Sequence, residues 1–223
     1  MAELSLDLLS QFSKTLYSAV LSDVLDSMDQ PHQVLRPFVR PLTDRDVVFG
    51  PARTGLFMPR YGMIKDENPY DIEIELVDDL RPGDVPVFAC GGPIETITPW
   101  GELLTTAATM RGAVGFVTDG LVRDTRAIKK LGFPVFHGGI RPLDSAGRSK
   151  MMLRDTAVEC GGVRIEPGDY IFGDVDGVVV LPAARAAEAV ERAQDKINGE
   201  NKTRDELRAG HKLADIYRKY GVL

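Results

Sequence analysis

Hydrophobic positions recur near the start of the chain at the spacing of a helix. The apolar residues that repeat every three to four positions are Leu16, Val20, Val24 and Leu25. Pro31 and Pro37 follow this run, and because proline does not continue a helix, the pattern predicts one amphipathic helix before the main core. Residues 47–57 then form an apolar stretch that we expect to be extended.

The next apolar segment supports two interpretations. Residues 72–76 read Ile-Glu-Ile-Glu-Leu, and this alternation is typical of a strand. Asn68 and Pro69 stand just before them, and this pair is equally typical of the start of a helix. The sequence leaves this element open between strand and helix.

Residues 85–136 carry the pattern of an α/β unit. Its elements are a strand at 85–90 after an Arg-Pro-Gly-Asp turn, a helix at 101–111 closed by Gly112, a strand at 113–117, a helix at 124–131 closed by Gly132, and a strand at 134–136. This alternation predicts a parallel sheet with right-handed crossovers. Ligands of such sheets bind beyond the carboxyl ends of the strands, where the helices begin.

The last third of the chain changes from a β pattern to a helical one. Three short apolar runs joined by Gly and Asp turns, at 163–165, 170–173 and 178–182, predict antiparallel hairpins. From residue 183 the pattern is helical, with a break expected near Asn198 and Gly199. Since no linker stands out, we expect residues 1–223 to form a single domain with helical extensions at both ends.

Composition argues against a nucleic-acid-binding protein, a membrane protein and a protein built on zinc or disulfides. The 33 acidic side chains outnumber the 27 basic ones, which gives a formal net charge of −6, and no basic block indicates a nucleic-acid partner. No stretch approaches the ~20 apolar residues of a membrane span, and the amino terminus lacks a secretory apolar run, so we expect a cytoplasmic protein with no membrane partner. Cys90 and Cys160 have no spacing typical of zinc or a disulfide framework, and we expect both to be small buried residues.

Three charged residues follow strand ends in the α/β unit. Glu102 begins one predicted helix, and Arg123 and Asp124 begin the next, so all three should meet at one sheet edge. Each has a structural alternative: Asp124 as a helix N-cap, Arg123 in a surface ion pair, and Glu102 next to a helix dipole.

The same three residues also suit catalysis. Carboxylates without His or Cys nearby are hard oxygen ligands suited to Mg²⁺ or Mn²⁺. The backbone N–H groups of residues 101–104 could hold a substrate carboxylate, and Arg123 could face a developing oxyanion. Together they describe a site that stabilises the enolate of a 2-oxo acid.

Several other candidates have mainly structural interpretations. His137 reads as a structural or loop histidine, Asp174 and Asp176 as hairpin-turn residues with a possible secondary role, and Lys129, Lys130 and Lys150 as surface residues. Trp100 packs either beneath the loop that begins at Gly101 or simply in the core. We expect no Schiff-base lysine, because the pattern provides no desolvated position for one.

At the central segment the sequence resembles the class II 4-hydroxy-4-methyl-2-oxoglutarate aldolase and regulator of ribonuclease activity A family. The likeness covers most of the chain: GELLTTAATMRGAVGFVTDGLVRD lies at its centre, GFPVF, PGD and DVDGVVVLP follow, and NGENKTRDELRAGHKLADIYRKYGVL forms the tail. The resemblance implies an α/β fold with a β/β/α swivelling-type domain: a parallel sheet segment, flanking antiparallel hairpins and terminal helices. It also implies homotrimers or dimers of trimers with the active site between subunits.

Roles carry over from the family residue by residue. Asp124 matches its metal ligand and Arg123 its substrate-binding, oxyanion-stabilising arginine, while the segment Gly101, Glu102, Leu103 and Leu104 matches the loop that binds substrate. Glu200 falls where the neighbouring subunit can supply an acid. Aldolases of the family commonly have Asp where this chain has Glu102, and the extra methylene could displace the water that the acid orients.

The resemblance therefore implies a divalent-metal-dependent lyase. Its reaction would be retro-aldol cleavage of 4-hydroxy-4-methyl-2-oxoglutarate, decarboxylation of oxaloacetate, or both, since each passes through a pyruvate enolate. The alternative is a non-enzymatic regulator that binds and inhibits a ribonuclease.

Overall fold

Helices and strands alternate through the middle of the chain in the computed structural model of the protein, which describes residues 4–91 and 94–221. The helices are α1 (Leu6–Phe12), α2 (Ser18–Ser27), α3 (Asp71–Asp78), α4 (Glu102–Met110), α5 (Thr125–Leu131), α6 (Ala186–Arg208) and α7 (Leu213–Tyr220). The strands are β1 (Arg40–Pro41), β2 (Val48–Pro59), β3 (Val85–Cys90), β4 (Phe116–Thr118), β5 (Leu121–Val122), β6 (Val135–His137), β7 (Gly139–Ile140), β8 (Ser149–Arg154), β9 (Val158–Cys160), β10 (Val163–Ile165), β11 (Tyr170–Asp174) and β12 (Gly177–Leu181).

The main sheet mixes parallel and antiparallel pairs. Its order is β1-β6-β4-β3-β2-β11-β12, and β8 also pairs with β2. The pairs β3 with β4 and β4 with β6 are parallel, as the α/β pattern predicts, and β2 is also parallel to β3. The pairs of β11 with β12 and with β2 are antiparallel, which confirms the β-rich final third.

Each face of the sheet is covered by a different set of elements. On the α3, α4 and α5 side, Phe88 of β3 and Phe116 of β4 pack with Ile128 of α5. The alternate residues of β3, such as Val87, pack instead with the β9–β10 hairpin. Successive side chains of β3 thus point to opposite faces of the sheet, as expected for a strand that is buried on both faces. The starts of α4 and α5, which carry the candidate site residues, therefore lie on the helical face of the sheet.

The undecided segment at 72–76 is helical. Buried residues along α3 and just after it recur at helical spacing, at Glu73, Leu76, Val77 and Leu80. Asn68 accepts a hydrogen bond from the N–H of Tyr70 at 3.0 Å, just before the helix. The isoleucines that alternate in sequence do not share one buried face, since Ile74 is 43% exposed. The helix therefore buries a glutamate that a strand interpretation would have left facing solvent.

Two expectations about the bounds of helices and strands are wrong in detail. The predicted break at Asn198 and Gly199 is absent, because α6 runs unbroken from Ala186 to Arg208 and buries Ala193, Ile197 and Thr203 on both sides of that pair. Tertiary packing here outweighs the cost of glycine in a helix, about 1 kcal/mol. The strand expected at 113–117 instead begins at Phe116.

Lys150 is buried, although we expected it at the surface. Its Nζ lies 2.5 Å from Oε1 of Glu67 and 3.0 Å from Oδ2 of Asp71. Hydrogen bonds to Glu67 and then to Asp71 raise its pKa, so the ammonium is charged and ties β8 to the start of α3. An ammonium held in this way is not a nucleophile.

The two cysteines are free thiols, with Cys160 buried and Cys90 half-buried. Within residues 4–91 and 94–221, no helix combines the length and the apolar character that crossing a bilayer requires.

Candidate active site

A cavity of about 400 Å³ opens where α4 and α5 begin. Six of the residues predicted for the site line it: Gly101, Glu102, Leu103, Leu104, Arg123 and Asp124. The structure thus brings together residues that lie on two separate helix starts, as the sheet-edge argument requires. Glu200 is not among the residues that line this cavity.

Two neighbouring backbone segments hold Arg123 beside Gly101. The N–H of Leu121 donates to the carbonyl of Ile97, and the N–H of Arg123 donates to the carbonyl of Trp100, each at 3.0 Å. A Cβ on residue 101 would lie only 2.8 Å from Oδ2 of Asp124. Glycine at this position therefore permits the close approach of the two helix starts.

Asp124 does not cap its own helix. Its backbone is left-handed, with φ 57°, and its side chain makes no hydrogen bond to the first turn of α5. Oδ2 instead accepts from the N–H of Glu102 at 3.3 Å, across the cavity mouth. The N-cap interpretation is thus wrong, and the carboxylate belongs to the cavity.

Arg123 lies between two carboxylates. Its Nε is 3.6 Å from Oδ2 of Asp124, and its Nη1 is 3.4 Å from Oδ2 of Asp144. The side chain remains 38% exposed, so these pairs do not hide the guanidinium from the cavity. Arg123 can therefore meet an anionic ligand while its carboxylate partners fix its direction.

Glu102 and Leu103 begin α4 at the rim of the cavity. Oε1 of Glu102 accepts a hydrogen bond from the hydroxyl of Thr106 at 2.8 Å, which turns this oxygen along its own helix. Leu103 is 78% exposed, an unusual degree for a leucine. This rim offers the N–H groups of a helix start next to an apolar surface.

Trp100 supports this rim from below. Its ring stacks on Phe116 with centroids 3.8 Å apart, and Nε1 donates to the hydroxyl of Thr105 at 2.8 Å. That hydroxyl in turn donates to the carbonyl of Gly101 at 2.9 Å. Trp100 is thus both a core residue and the base of the segment that begins at Gly101.

Asp144 and Tyr70 also line the cavity, although the sequence pattern did not indicate them. Oδ1 of Asp144 accepts from the Tyr70 hydroxyl at 2.9 Å and from the N–H of Ala146 at 3.1 Å. Burial acts to raise the pKa of Asp144, but the Ala146 N–H, the Tyr70 hydroxyl and Arg123 outweigh it and lower that pKa. Burial and Asp144 raise the pKa of Tyr70 to about 12. Asp144 therefore stays ionised opposite Arg123, and Tyr70 stays a hydrogen-bond donor.

Glu73 is a further residue of the cavity that the sequence did not indicate. It is only 5% exposed, and its Oε2 is buried without a hydrogen-bond partner. Burial and the negative charge of Asp144 raise its pKa to about 8, against the opposing effect of Arg123. Only the helical register of α3 brings this carboxyl inside.

Glu200 lies in a separate surface pocket between α2 and α6. It accepts a hydrogen bond from the Tyr17 hydroxyl and lies 3.5 Å from Nη2 of Arg204. Its expected contribution to a neighbouring subunit stays a prediction.

His137 and Asp174 lie outside the cavity lining. Burial lowers the pKa of His137, which ends β6. Asp174 accepts from the N–H and the hydroxyl of Ser18 at 2.8 and 2.7 Å, so it fixes the start of α2, and it also accepts from the N–H of Asp176 at 2.9 Å. These contacts give Asp174 a structural role.

The donor set of the cavity suits a hard divalent cation. In the part of the chain that the structure describes, no group of three or more His, Cys, Asp or Glu side chains is arranged as a metal cage. A single carboxylate with water in the remaining positions is, however, how proteins often hold Mg²⁺. Asp124, half-exposed at the mouth with Glu102 beside it, fits such a weakly anchored ion.

Comparisons with known proteins agree with this architecture. A protein of Halalkalibacterium halodurans, provisionally named as a 4-hydroxy-4-methyl-2-oxoglutarate aldolase, is 32% identical over 196 residues, which cover 88% of this chain and 86% of that one. The crystal structure of RraAS2 from Streptomyces coelicolor, described as an unusual member of the RNase ES inhibitor RraA family, has a TM-score of 0.80 at 29% identity and covers 92% of this chain and all of that one. An uncharacterized protein from Pseudomonas syringae has a TM-score of 0.82 at 25% identity, with coverage of 97% and 99%.

A family model supports the same assignment. The RraA-like model, described as Aldolase/RraA, matches residues 18–180, which include every residue lining the cavity. The resemblance noted in the sequence is thereby confirmed, and so is the mixed α/β fold. This chain belongs to the Aldolase/RraA family.

Proposed function

We propose that the protein is a divalent-metal-dependent lyase that cleaves a carbon–carbon bond of a 2-oxo acid and releases pyruvate. The observation that carries the proposal is the meeting of Asp124, Arg123 and the start of α4 in one cavity. The names of relatives such as the Halalkalibacterium halodurans protein point to the same class of reaction.

Each part of the cavity has a task in this reaction. Mg²⁺ or Mn²⁺, held by Asp124, would supply electron withdrawal at the 2-oxo group. Arg123 donates to the oxygen on which negative charge develops, and Asp144 keeps its guanidinium in place. The N–H groups of the first turn of α4 orient the substrate carboxylate.

The two candidate substrates differ in the proton that must move. Retro-aldol cleavage of 4-hydroxy-4-methyl-2-oxoglutarate requires a base for the substrate hydroxyl, whereas decarboxylation of oxaloacetate does not. We assign Glu102, at the start of α4, to orient water for that base step, but the Thr106 hydroxyl already occupies its Oε1. We therefore propose oxaloacetate as the better substrate of this chain.

The proposal includes a homotrimer or a dimer of trimers in which Glu200 reaches the cavity of a neighbouring subunit. Tyr17 and Arg204 hold Glu200 in a pocket between α2 and α6, apart from the lining of its own chain's cavity. A mixed oligomer of Arg123→Ala and Glu200→Ala chains would regain activity if the neighbour supplies Glu200. Failure to regain it would place Glu200 outside the site.

A second candidate function is the inhibition of a ribonuclease by protein contact. The likeness to RraAS2 favours it. It predicts no pyruvate release and direct binding to a ribonuclease in pull-down experiments.

The deciding experiment is an assay of pyruvate release by the purified protein from each of the two substrates. We expect release that requires Mg²⁺ or Mn²⁺, stops with EDTA and returns on adding the metal back. The absence of release with both substrates and both metals would overturn the proposal and favour the second candidate.

A further inference from the structure

Among the described residues, the cavity is lined by more carboxyl groups than the single guanidinium of Arg123 can neutralise. Glu102, Asp124 and Asp144 lie around Arg123, and Glu73 is buried behind them. If all four carboxyls were ionised, the cavity would repel a dicarboxylate substrate. A proton on one of them removes part of this repulsion.

Glu73 is the carboxyl that the geometry selects to hold this proton. Asp124 and Asp144 each lie within ion-pair distance of Arg123, and Glu102 accepts from Thr106. Oε2 of Glu73 is enclosed and accepts no hydrogen bond. A buried carboxylate without a partner is costly, and such a group keeps its proton instead.

We propose that Glu73 is a positioning residue that works as a neutral acid, leaving Arg123 paired with Asp144 and open to a dianionic substrate. When Glu73 ionises, its charge repels Asp144, competes for Arg123 and repels the substrate. The inference rests on the proposed function, because it assigns Glu73 to the recognition of the same dicarboxylic 2-oxo acid.

The charged neighbours of Glu73 are few. Asp71 on its own helix and Asp144 favour the neutral form, while Arg123 opposes it. Among the elements packed on α3, β8 contributes Lys150, which pairs with Asp71, and α4 contributes Glu102 at the cavity rim. Tyr70 donates to Asp144 rather than to Glu73.

The other basic groups near α3 pair with acids other than Glu73. Arg154 of β8 pairs with Glu75 and Asp79, and Arg111 after α4 pairs with Asp78. Arg53 of β2 pairs with Asp84 and Asp155. In the described residues, Arg123 is thus the only cation that acts on Glu73 from within the cavity.

The test compares the wild type with Glu73→Gln, which keeps the shape but cannot ionise. Glu75→Gln, on the exposed side of the same helix, is the matched control. For each protein we would measure the Kd of oxalate, a small dianion, by calorimetry in Mg²⁺ at pH 6.5 and 9, and the KM and kcat for oxaloacetate. For the wild type and the control, we expect the Kd of oxalate to be roughly tenfold higher at pH 9 than at pH 6.5. The effect on turnover of oxaloacetate should appear mostly in KM. In Glu73→Gln, the Kd should not depend on pH in this way.

The outcomes separate the inference from the proposed function. An equal pH dependence in wild type and Glu73→Gln overturns the role of Glu73, and pyruvate release would then still support the lyase. A dependence of oxalate binding that only Glu73→Gln abolishes supports the inference, even if neither substrate is cleaved and the lyase proposal fails. If oxalate binds to none of the three proteins, the role of Glu73 is overturned, and pyruvate release alone then decides the lyase proposal.

Discussion

The Asp124 carboxylate accepts a hydrogen bond from the N–H of Glu102. It therefore caps the first turn of α4, although Asp124 itself directly precedes α5. The two residues are 22 positions apart in sequence. This contact joins the starts of α4 and α5 and sets the carboxylate beside Arg123. The candidate metal ligand and the candidate anion-binding turn are therefore parts of one structural unit.

Replacing Asp124 should separate catalysis from stability. We expect Asp124→Ala to abolish metal-dependent pyruvate release, because the proposed ligand is lost. It should lower the free energy of unfolding by only about 1–2 kcal/mol, because the bond to Glu102 is long and half-exposed, although alanine strains the left-handed backbone at this position. The measurements are turnover at saturating Mg²⁺ and urea denaturation, with Asp124→Asn as the control that keeps an acceptor. Turnover equal to that of the wild type would exclude Asp124 as the ligand.

Arg123 should not be replaceable by lysine. Two of its nitrogens, Nε and Nη1, lie near Asp124 and Asp144, and a single ammonium cannot take both positions while facing a substrate. We expect Arg123→Lys to lose at least about tenfold in kcat with little change in Tm. Arg126→Lys, on the exposed face of α5, is the matched control. Near-normal kcat in Arg123→Lys would mean that Arg123 is structural.

Glu102 should control the choice between the two substrates. Shortening the side chain in Glu102→Asp removes the methylene that lets Oε1 reach Thr106. We expect the kcat/KM for 4-hydroxy-4-methyl-2-oxoglutarate to rise relative to that for oxaloacetate, because only the retro-aldol step needs a base. Thr106→Val tests whether the hydrogen bond itself restrains Glu102. A ratio that stays constant or moves the other way in Glu102→Asp would contradict this role.

Glu73 should make the protein less stable as the pH rises. Its folded pKa of about 8 lies above the ordinary value of 4.5, so the folded state holds a proton that the unfolded state has released between these two values. The free energy of unfolding should therefore fall across this interval, by about 5 kcal/mol at most, and change no further above it. Chemical denaturation between pH 5 and 9 measures the change. Glu73→Gln should remove this part of the fall, and identical curves for both proteins would show that Glu73 is ionised throughout.

The sequence by itself determined the elements whose signals are local. The parallel strands β3, β4 and β6 and the helices between them follow from apolar runs, turn residues and glycine stops, each a property of a few consecutive residues. The gathering of Glu102, Arg123 and Asp124 at one edge followed as well, because parallel strands end on the same side. The resemblance to the Aldolase/RraA family is also carried by this segment of the sequence.

Only the tertiary structure decided the features that depend on packing between distant segments. Residues 72–76 alternate like a strand, yet Leu76 and Val77 bury one side of a helix and take Glu73 inside with them. Asp144 carries no local signal of its role, because its partners Tyr70 and Arg123 are 74 and 21 positions away, as the sequence numbers show. Asp124 is a good N-cap by residue type, but its left-handed backbone and the nearness of Gly101 direct its carboxylate to another helix. Local propensities contribute less free energy than the burial of a whole helix face. The conformation at such positions is therefore set by tertiary packing and not by the local sequence pattern.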